Sequence, residues 1–344
     1  MATFLGIDYP SWWFLLIGGV FSGYAILDGF DLGAGAWHLF FRKEKSRRIA
    51  LNAVGPVWDG NEVWLVIGGG ALFAGFPHVY ATLLSAMYVP FMLFLLFLIL
   101  RAISIEFRSK EEMKWWRSMW DTTYSVASIA LALALGLVLG NVLQGMPIGA
   151  DKEFAGSWLM FLNPYAFLTA FTTLALFMMH GAIYLLMKTE GRLYAKLTVL
   201  LKRAIIAFIL LFSLTSLYTL IYIPHLSDDF KAQPVLFIVP VLTFLTIANI
   251  PRLAAKRKFK PAFFFSALGI ALLLVLVAIE LYPTVLLSTL DPAYSIDVYT
   301  AASSEKSLGI MLLFAAIGIP LVGGYTYFVY KTFAGKVELD EMSY

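Results

Sequence analysis

Nine stretches of mostly apolar residues, separated by short loops whose basic charge alternates, constrain this chain more than any other feature. A helix that crosses a bilayer needs about 20 such residues. In lipid only helices or closed barrels satisfy every backbone group. The predicted spans are 12–40, 51–75, 79–103, 122–144, 163–187, 202–223, 234–250, 261–282 and 308–331, the seventh ending at Pro251. Lys and Arg gather in cytoplasmic loops. Arg42, Lys43, Lys45, Arg47 and Arg48 fill the first loop, and Arg101, Arg108, Lys110, Lys114 and Arg117 the third. The fifth holds Lys188, Arg192, Lys196, Lys202 and Arg203, the seventh Arg252, Lys256, Arg257, Lys258 and Lys260, and the tail Lys331 and Lys336. One side thus carries 22 of the 25 basic residues, leaving Lys152, Lys231 and Lys306 for the other. A missed or invented span would scramble this alternation. The expected fold class is all-α: a polytopic membrane protein with nine transmembrane helices, as two four-helix bundles plus one peripheral helix. Its N-terminus lies outside, its C-terminus is cytoplasmic, and residues 1–344 form a single integral membrane domain.

Charged residues make up 14% of the chain, against roughly 25% in soluble domains. With no cysteine, disulfides, thiolate metal sites and thiol nucleophiles are excluded. Residues 1–11 carry Asp8 and no basic segment, so no cleaved signal peptide is expected.

Ionisable groups deep in a membrane are costly to place and mark functional sites. Four carboxyls stand out. Asp28 and Asp31 share the first span in Leu27-Asp28-Gly29-Phe30-Asp31-Leu32-Gly33. Asp59 and Glu62 share the second in Trp58-Asp59-Gly60-Asn61-Glu62-Val63-Trp64. Each pair is spaced i,i+3, which puts both side chains on one helix face. Asp31 and Asp59 lie about 16 Å from the basic rim, and Asp28 and Glu62 about 21 Å, at 1.5 Å per residue. A helical hairpin then stacks the four acids in two tiers from the cytoplasm towards mid-membrane. Carboxyls in a poorly polarisable surround can exchange protons near neutral pH, as a proton relay requires. Two other readings stand beside this one. The acids could cap backbone opened by Pro56, Gly60, Gly29 and Gly33, or they could hold a hard cation.

The remaining polar residues are weaker signals. His180 fits a bonded core histidine better than a haem ligand, because no matching His or Met is evident. Glu280 sits near the outer end of the eighth span. Gly68-Gly69-Gly70 permits close helix approach and is no phosphate loop, since no Lys-Ser/Thr follows. Trp12, Trp13, Trp115, Trp116, Trp120 and Trp158 fit interfacial belts, whereas Trp58 and Trp64 lie beside the carboxyls.

At these motifs the chain closely resembles subunit II of cytochrome bd-type quinol oxidases. Besides the two acidic segments, the resemblance rests on Arg47-Arg48-Ile49, Gly69-Gly70-Ala71-Leu72-Phe73-Ala74, Phe107-Arg108-Ser109-Lys110, Trp116-Arg117, Met119-Trp120-Asp121, Gly140-Asn141-Val142-Leu143-Gln144-Gly145 and Leu162-Asn163-Pro164-Tyr165. It is strong over the first half of the chain. The resemblance implies a bacterial plasma-membrane complex that oxidises quinol and reduces oxygen to water. It implies two haems b and one haem d on a partner, subunit I, in a heterodimer with this chain. A small single-span subunit can join them, and a structural quinone or lipid can bind along subunit II. By the same resemblance Asp59 is the key proton-path acid, with Asp28 and Asp31 associated; Glu62 joins the path from the tiers of acids read above. Trp58, Asn61 and Trp64 support the path or an apolar oxygen route. Glu62 stands where some members have Gln, and the loop over 224–233 is short for the family. Competing classes are a secondary transporter, which calls for broken helices in both halves, and a purely structural assembly subunit.

Overall fold

The structure, a computed structural model, describes residues 3–339. The ends of the expected 1–344 domain lie outside the described residues. A two-stranded ribbon, β1 (Thr3–Phe4) and β2 (Ile7–Asp8), precedes α1 (Tyr9–Trp37). Asp8 caps α1 by accepting from the Ser11 amide, and Pro10 occupies the first turn, where its missing N–H is harmless. Then come α2 (Glu44–Val54), α3 (Trp58–Gly75), α4 (Pro77–Ala86), α5 (Tyr88–Phe107) and α6 (Lys114–Gln144). The second half holds α7 (Pro164–Lys188), α8 (Gly191–Tyr222), the short α9 (Asp228–Ala232), α10 (Ile238–Ala255), α11 (Phe259–Glu280) and α12 (Glu305–Thr332). Between the last two helices, β3 (Thr284–Leu286) pairs antiparallel with β4 (Ile296–Asp297).

Eight helices among the described residues are long and apolar enough to cross a membrane. The ninth expected span is reached only if α3 and α4, bent by 118°, count as one. Two prolines explain the departure. Pro56 cannot continue α2, because its ring removes an amide donor and clashes with the preceding turn. The continuous helix expected over 51–75 is therefore broken at 55–57, and α3 restarts at Trp58. Pro77 forces Phe76 out of the helical region, to φ −132 and ψ 69. That separates α4 from α3 and, with a second break at Met87, splits the span expected over 79–103. The third crossing is thus α5, displaced towards the C-terminus, and it carries Arg101 inside the helix rather than in the basic loop. Three further boundaries move, the first being the start of α6 at Lys114 rather than 122. The sixth helix starts at Gly191, and α10 passes through Pro251 to Ala255.

α1 is central, packing on α3, α6, α7, α11 and α12, while α6 also meets α5 and α7 also meets α8. Every residue of α1 from 28 to 37 is buried. Glycine makes its tightest approach possible. A Cβ on Gly33 would lie 1.8 Å from the Phe177 carbonyl oxygen, and one on Gly181 2.6 Å from the Ala34 nitrogen. Both obstacles are backbone, so α1 and α7 would have to separate. Gly33→Ala is expected to destabilise by about 3 kcal/mol through overpacking. Gly18→Ala, with nothing within 4 Å of its Cβ, is the control and should stay within about 0.5 kcal/mol. Thermal melting of the two variants checks the contrast. Trp13, expected in an interfacial belt, is instead buried, its indole donating to the Leu308 carbonyl at 3.0 Å.

Candidate functional site

Breaking the second span sorts the four carboxyls. Asp28, fully buried on α1, receives both arms of the Arg101 guanidinium from α5, Nη1 to Oδ2 at 2.9 Å and Nη2 to Oδ1 at 2.5 Å. Arg101 is itself fully buried, and its Nη1 also reaches Glu62 Oε2 on α3 at 3.4 Å. Asp28 and Glu62 therefore share one cation. Asp31, one turn further along α1 and also fully buried, uses a different partner. Its Oδ2 accepts from Asn61 Nδ2 at 2.7 Å. Asn61 completes its amide by accepting from the Tyr330 hydroxyl of α12 at 2.9 Å. Among the described residues, the buried Asp31 Oδ1 has no hydrogen-bond partner.

Asp59 stands apart. It occupies the first turn of α3, where the helix dipole favours a negative charge. The residue is exposed, and among the described residues its carboxylate has no hydrogen bond or ion pair. Val57 holds the N-cap position of α3, and no side chain caps it. Counting residues from Arg48 therefore does not give the depth of Asp59, because 48–59 is no single helix, and among the described residues no hydrogen bond joins Asp59 to Asp31. Trp58 is buried with Leu51, Ile105 and Tyr124. Trp64 lies against Gly23, where a Cβ would come within 2.7 Å of the indole.

A second charge cluster closes the C-terminal end of α1, beyond Asp31. Asp121, buried at the start of α6, binds the His38 ring through Nε2 and Arg47 Nη1 at 2.9 Å. It also accepts from Arg108, Nε at 2.5 Å and Nη2 at 3.2 Å. Arg108 extends the cluster to Glu44, with Nη2 at 3.0 and 3.1 Å from the two carboxylate oxygens. Four segments converge here: the end of α1, α2, the end of α5 and α6. Sequence reasoning placed Arg47, Arg101 and Arg108 in the basic rim and gave Asp121 no role. The signal that could have found them was pairing: two acids near span ends, each within reach of an arginine on a neighbouring helix.

With this geometry described, comparison with known proteins decides the family. The family model for cytochrome bd terminal oxidase subunit II matches residues 9–333. The chain belongs to that family. Cytochrome bd-I ubiquinol oxidase subunit 2 of Escherichia coli K12 is 31% identical over 98% of both chains. Cytochrome bd ubiquinol oxidase subunit 2 of Bacillus subtilis 168 is 33% identical over 96% of this chain and 97% of the relative. Among solved structures, the bd oxidase from Geobacillus thermodenitrificans shares the fold at TM-score 0.80 and 19% identity, over 94% of this chain and 98% of that one. As a cytochrome bd subunit II, this chain is a multi-pass bacterial membrane protein and part of an oxidoreductase complex.

The cytochrome family implies haem, and His180 of this subunit II does not fit an axial ligand. His180 uses both ring nitrogens: Nε2 donates to the Ile26 carbonyl at 3.1 Å, so Nδ1 accepts from the Ser266 hydroxyl at 2.8 Å. Its ring stacks on Phe263 at 4.6 Å. His38 directs Nε2 at Asp121. No step through haem is assigned to this chain. Among the described residues, no group of three or more His, Cys, Asp or Glu side chains is placed to hold a metal ion.

Proposed function

We propose that this chain is the haem-free subunit II of a quinol oxidase. In that complex a haem-bearing subunit I, with two haems b and one haem d, transfers electrons from quinol to oxygen. In this reading the chain braces subunit I in a heterodimer, with its N-terminus outside and its C-terminus cytoplasmic, as one membrane domain over 1–344. Its helices group as two bundles and a peripheral helix. A small single-span subunit and a structural quinone or lipid complete the assembly.

The chain's own chemical contribution is part of the cytoplasmic proton route. One observation carries this: Asp59 is exposed in the first turn of α3, a helix of the membrane domain. A carboxylate there is too costly to leave in lipid, so the face fits cover by another subunit. Behind Asp59 on α3, Glu62, then Asp28 with Arg101, continue a row of acids, and Asp31 with Asn61 lies beside them. Asp31 Oδ1 leaves that row with accepting capacity to spare. Trp58 holds the base of α3, and Trp64 fills its contact with α1. Arg101 balances charge, so the acids can ionise without repelling one another apart.

Proton-uptake kinetics on the complex carrying Asp59→Asn test the proposal. Loss of a proton-transfer group is expected to lower uptake and oxygen reduction about a hundredfold, with unchanged haem content and melting temperature. Wild-type turnover in this variant sinks the relay. A colourless, monodisperse single chain on purification overturns the oxidase reading itself.

A further inference from the structure

A groove that reaches a basic loop lies between α10 and α11, far in sequence from the acids. It encloses about 510 Å³. Its apolar wall is formed by Leu242, Leu245 and Ala248 on α10 and by Phe265 and Leu268 on α11. Asn249 and Arg252 close its end nearest the loop. Leu242, Leu245, Asn249 and Arg252 follow one another at helical spacing, so the groove runs along one face of α10 for roughly 15 Å. Its character therefore changes along its length, from hydrocarbon to amide to guanidinium.

Charge is one-sided here. Between Lys231 and Glu280 the chain has no acidic residue, yet it carries Arg252, Lys256, Arg257, Lys258 and Lys260. Among the described residues, Arg252 has no carboxylate partner and is exposed. The basic loop is on the cytoplasmic side by the distribution of Lys and Arg, where the leaflet holds anionic lipid. A zwitterionic lipid would satisfy the wall and offer Arg252 a phosphate, but it would leave the surplus positive charge of Lys256, Arg257, Lys258 and Lys260 unbalanced. A small anion would satisfy Arg252 but leave the wall without an apolar occupant.

We propose that this groove is a binding site for one anionic phospholipid. An acyl chain lies along Leu242, Leu245 and Phe265, and the phosphate is held by Arg252, with Asn249 donating beside it. The site rests on the α10–α11 geometry alone and stands or falls independently of the proton route.

The test uses the whole purified oxidase complex in mixed micelles with equal amounts of dioleoyl phosphatidylglycerol and dioleoyl phosphatidylcholine. Retained lipid is counted by native mass spectrometry. Wild type is expected to keep phosphatidylglycerol in preference. R252Q should lower its retention about fivefold, the equivalent of the roughly 1 kcal/mol of one basic residue at an anionic surface. Ala248→Trp, which fills the groove with an indole, should remove the tightly held lipid altogether. Haem absorbance equal to wild type shows that each variant is assembled. Equal retention of the two lipids by wild type overturns the proposal. So does wild-type retention in either variant, or displacement of the lipid by excess inorganic phosphate, which would mark a headgroup contact without an acyl groove.

Discussion

Arg101→Gln is expected to destabilise the folded complex by about 3–5 kcal/mol, the range for removing one partner of a buried ion pair. Arg101 and Asp28 are both fully buried, and the guanidinium reaches Asp28 through two nitrogens and Glu62 through one. Without it, Asp28 keeps its burial and loses its only cation, and Glu62 loses its shield from Asp28. Lys in place of Arg restores the charge but not the planar fork, so Arg101→Lys should fall between wild type and Arg101→Gln. Pairing Arg101→Gln with Asp28→Asn removes both charges and is expected to recover most of the loss, because the penalty comes from an unmatched charge. Thermal unfolding of the four complexes measures this cycle. A wild-type melting temperature for Arg101→Gln refutes the account.

Asp121→Asn should be nearly as damaging, again about 3–5 kcal/mol. The carboxylate is buried and accepts from Arg47, Arg108 and His38 on three different segments. An asparagine there leaves two guanidiniums with half an acceptor. The expected symptom is loosening of α1, α2, α5 and α6 where they meet at this cluster, read as faster hydrogen exchange in those segments and a lower melting temperature. Glu44→Gln provides the contrast. Glu44 binds the same Arg108 but is 45% exposed, and exposed ion pairs contribute about 0–1 kcal/mol. Equal effects of the two substitutions would mean that burial does not set the strength of this cluster.

How much of this was legible in the sequence depends on what each signal measures. The spans could be read because hydropathy over about 20 residues is additive and needs no knowledge of neighbours. Asp28, Asp31, Asn61 and Glu62 could be picked out because a polar residue inside an apolar run is conspicuous. Arg101 could not. It lies near the end of an apolar run, and only the break at Met87, which displaces the crossing helix, shows that the chain is still helical there. Asp121 was hidden for a related reason: beside Trp120, near a basic loop, it reads as a solvated end. Asp59 was placed in a tier with Asp31 by counting residues from Arg48. Pro56 invalidates that count, since the chain turns at 55–57 before α3 begins. Span-level reading succeeds where burial is a property of composition. It fails where burial depends on which helix stands opposite.

The distances along the chain between partners in the acid network set an order of manufacture. Arg101 lies 73 residues after Asp28. At about 5–20 residues per second of synthesis, Asp28 waits several seconds for its counter-charge to be made. Tyr330, which completes the Asn61 amide, comes 269 residues after it. Helices α1 and α3 therefore carry an unfinished polar core through nearly the whole of translation. Whatever holds those helices until α5 and α12 arrive also times the moment at which the acids gain their partners.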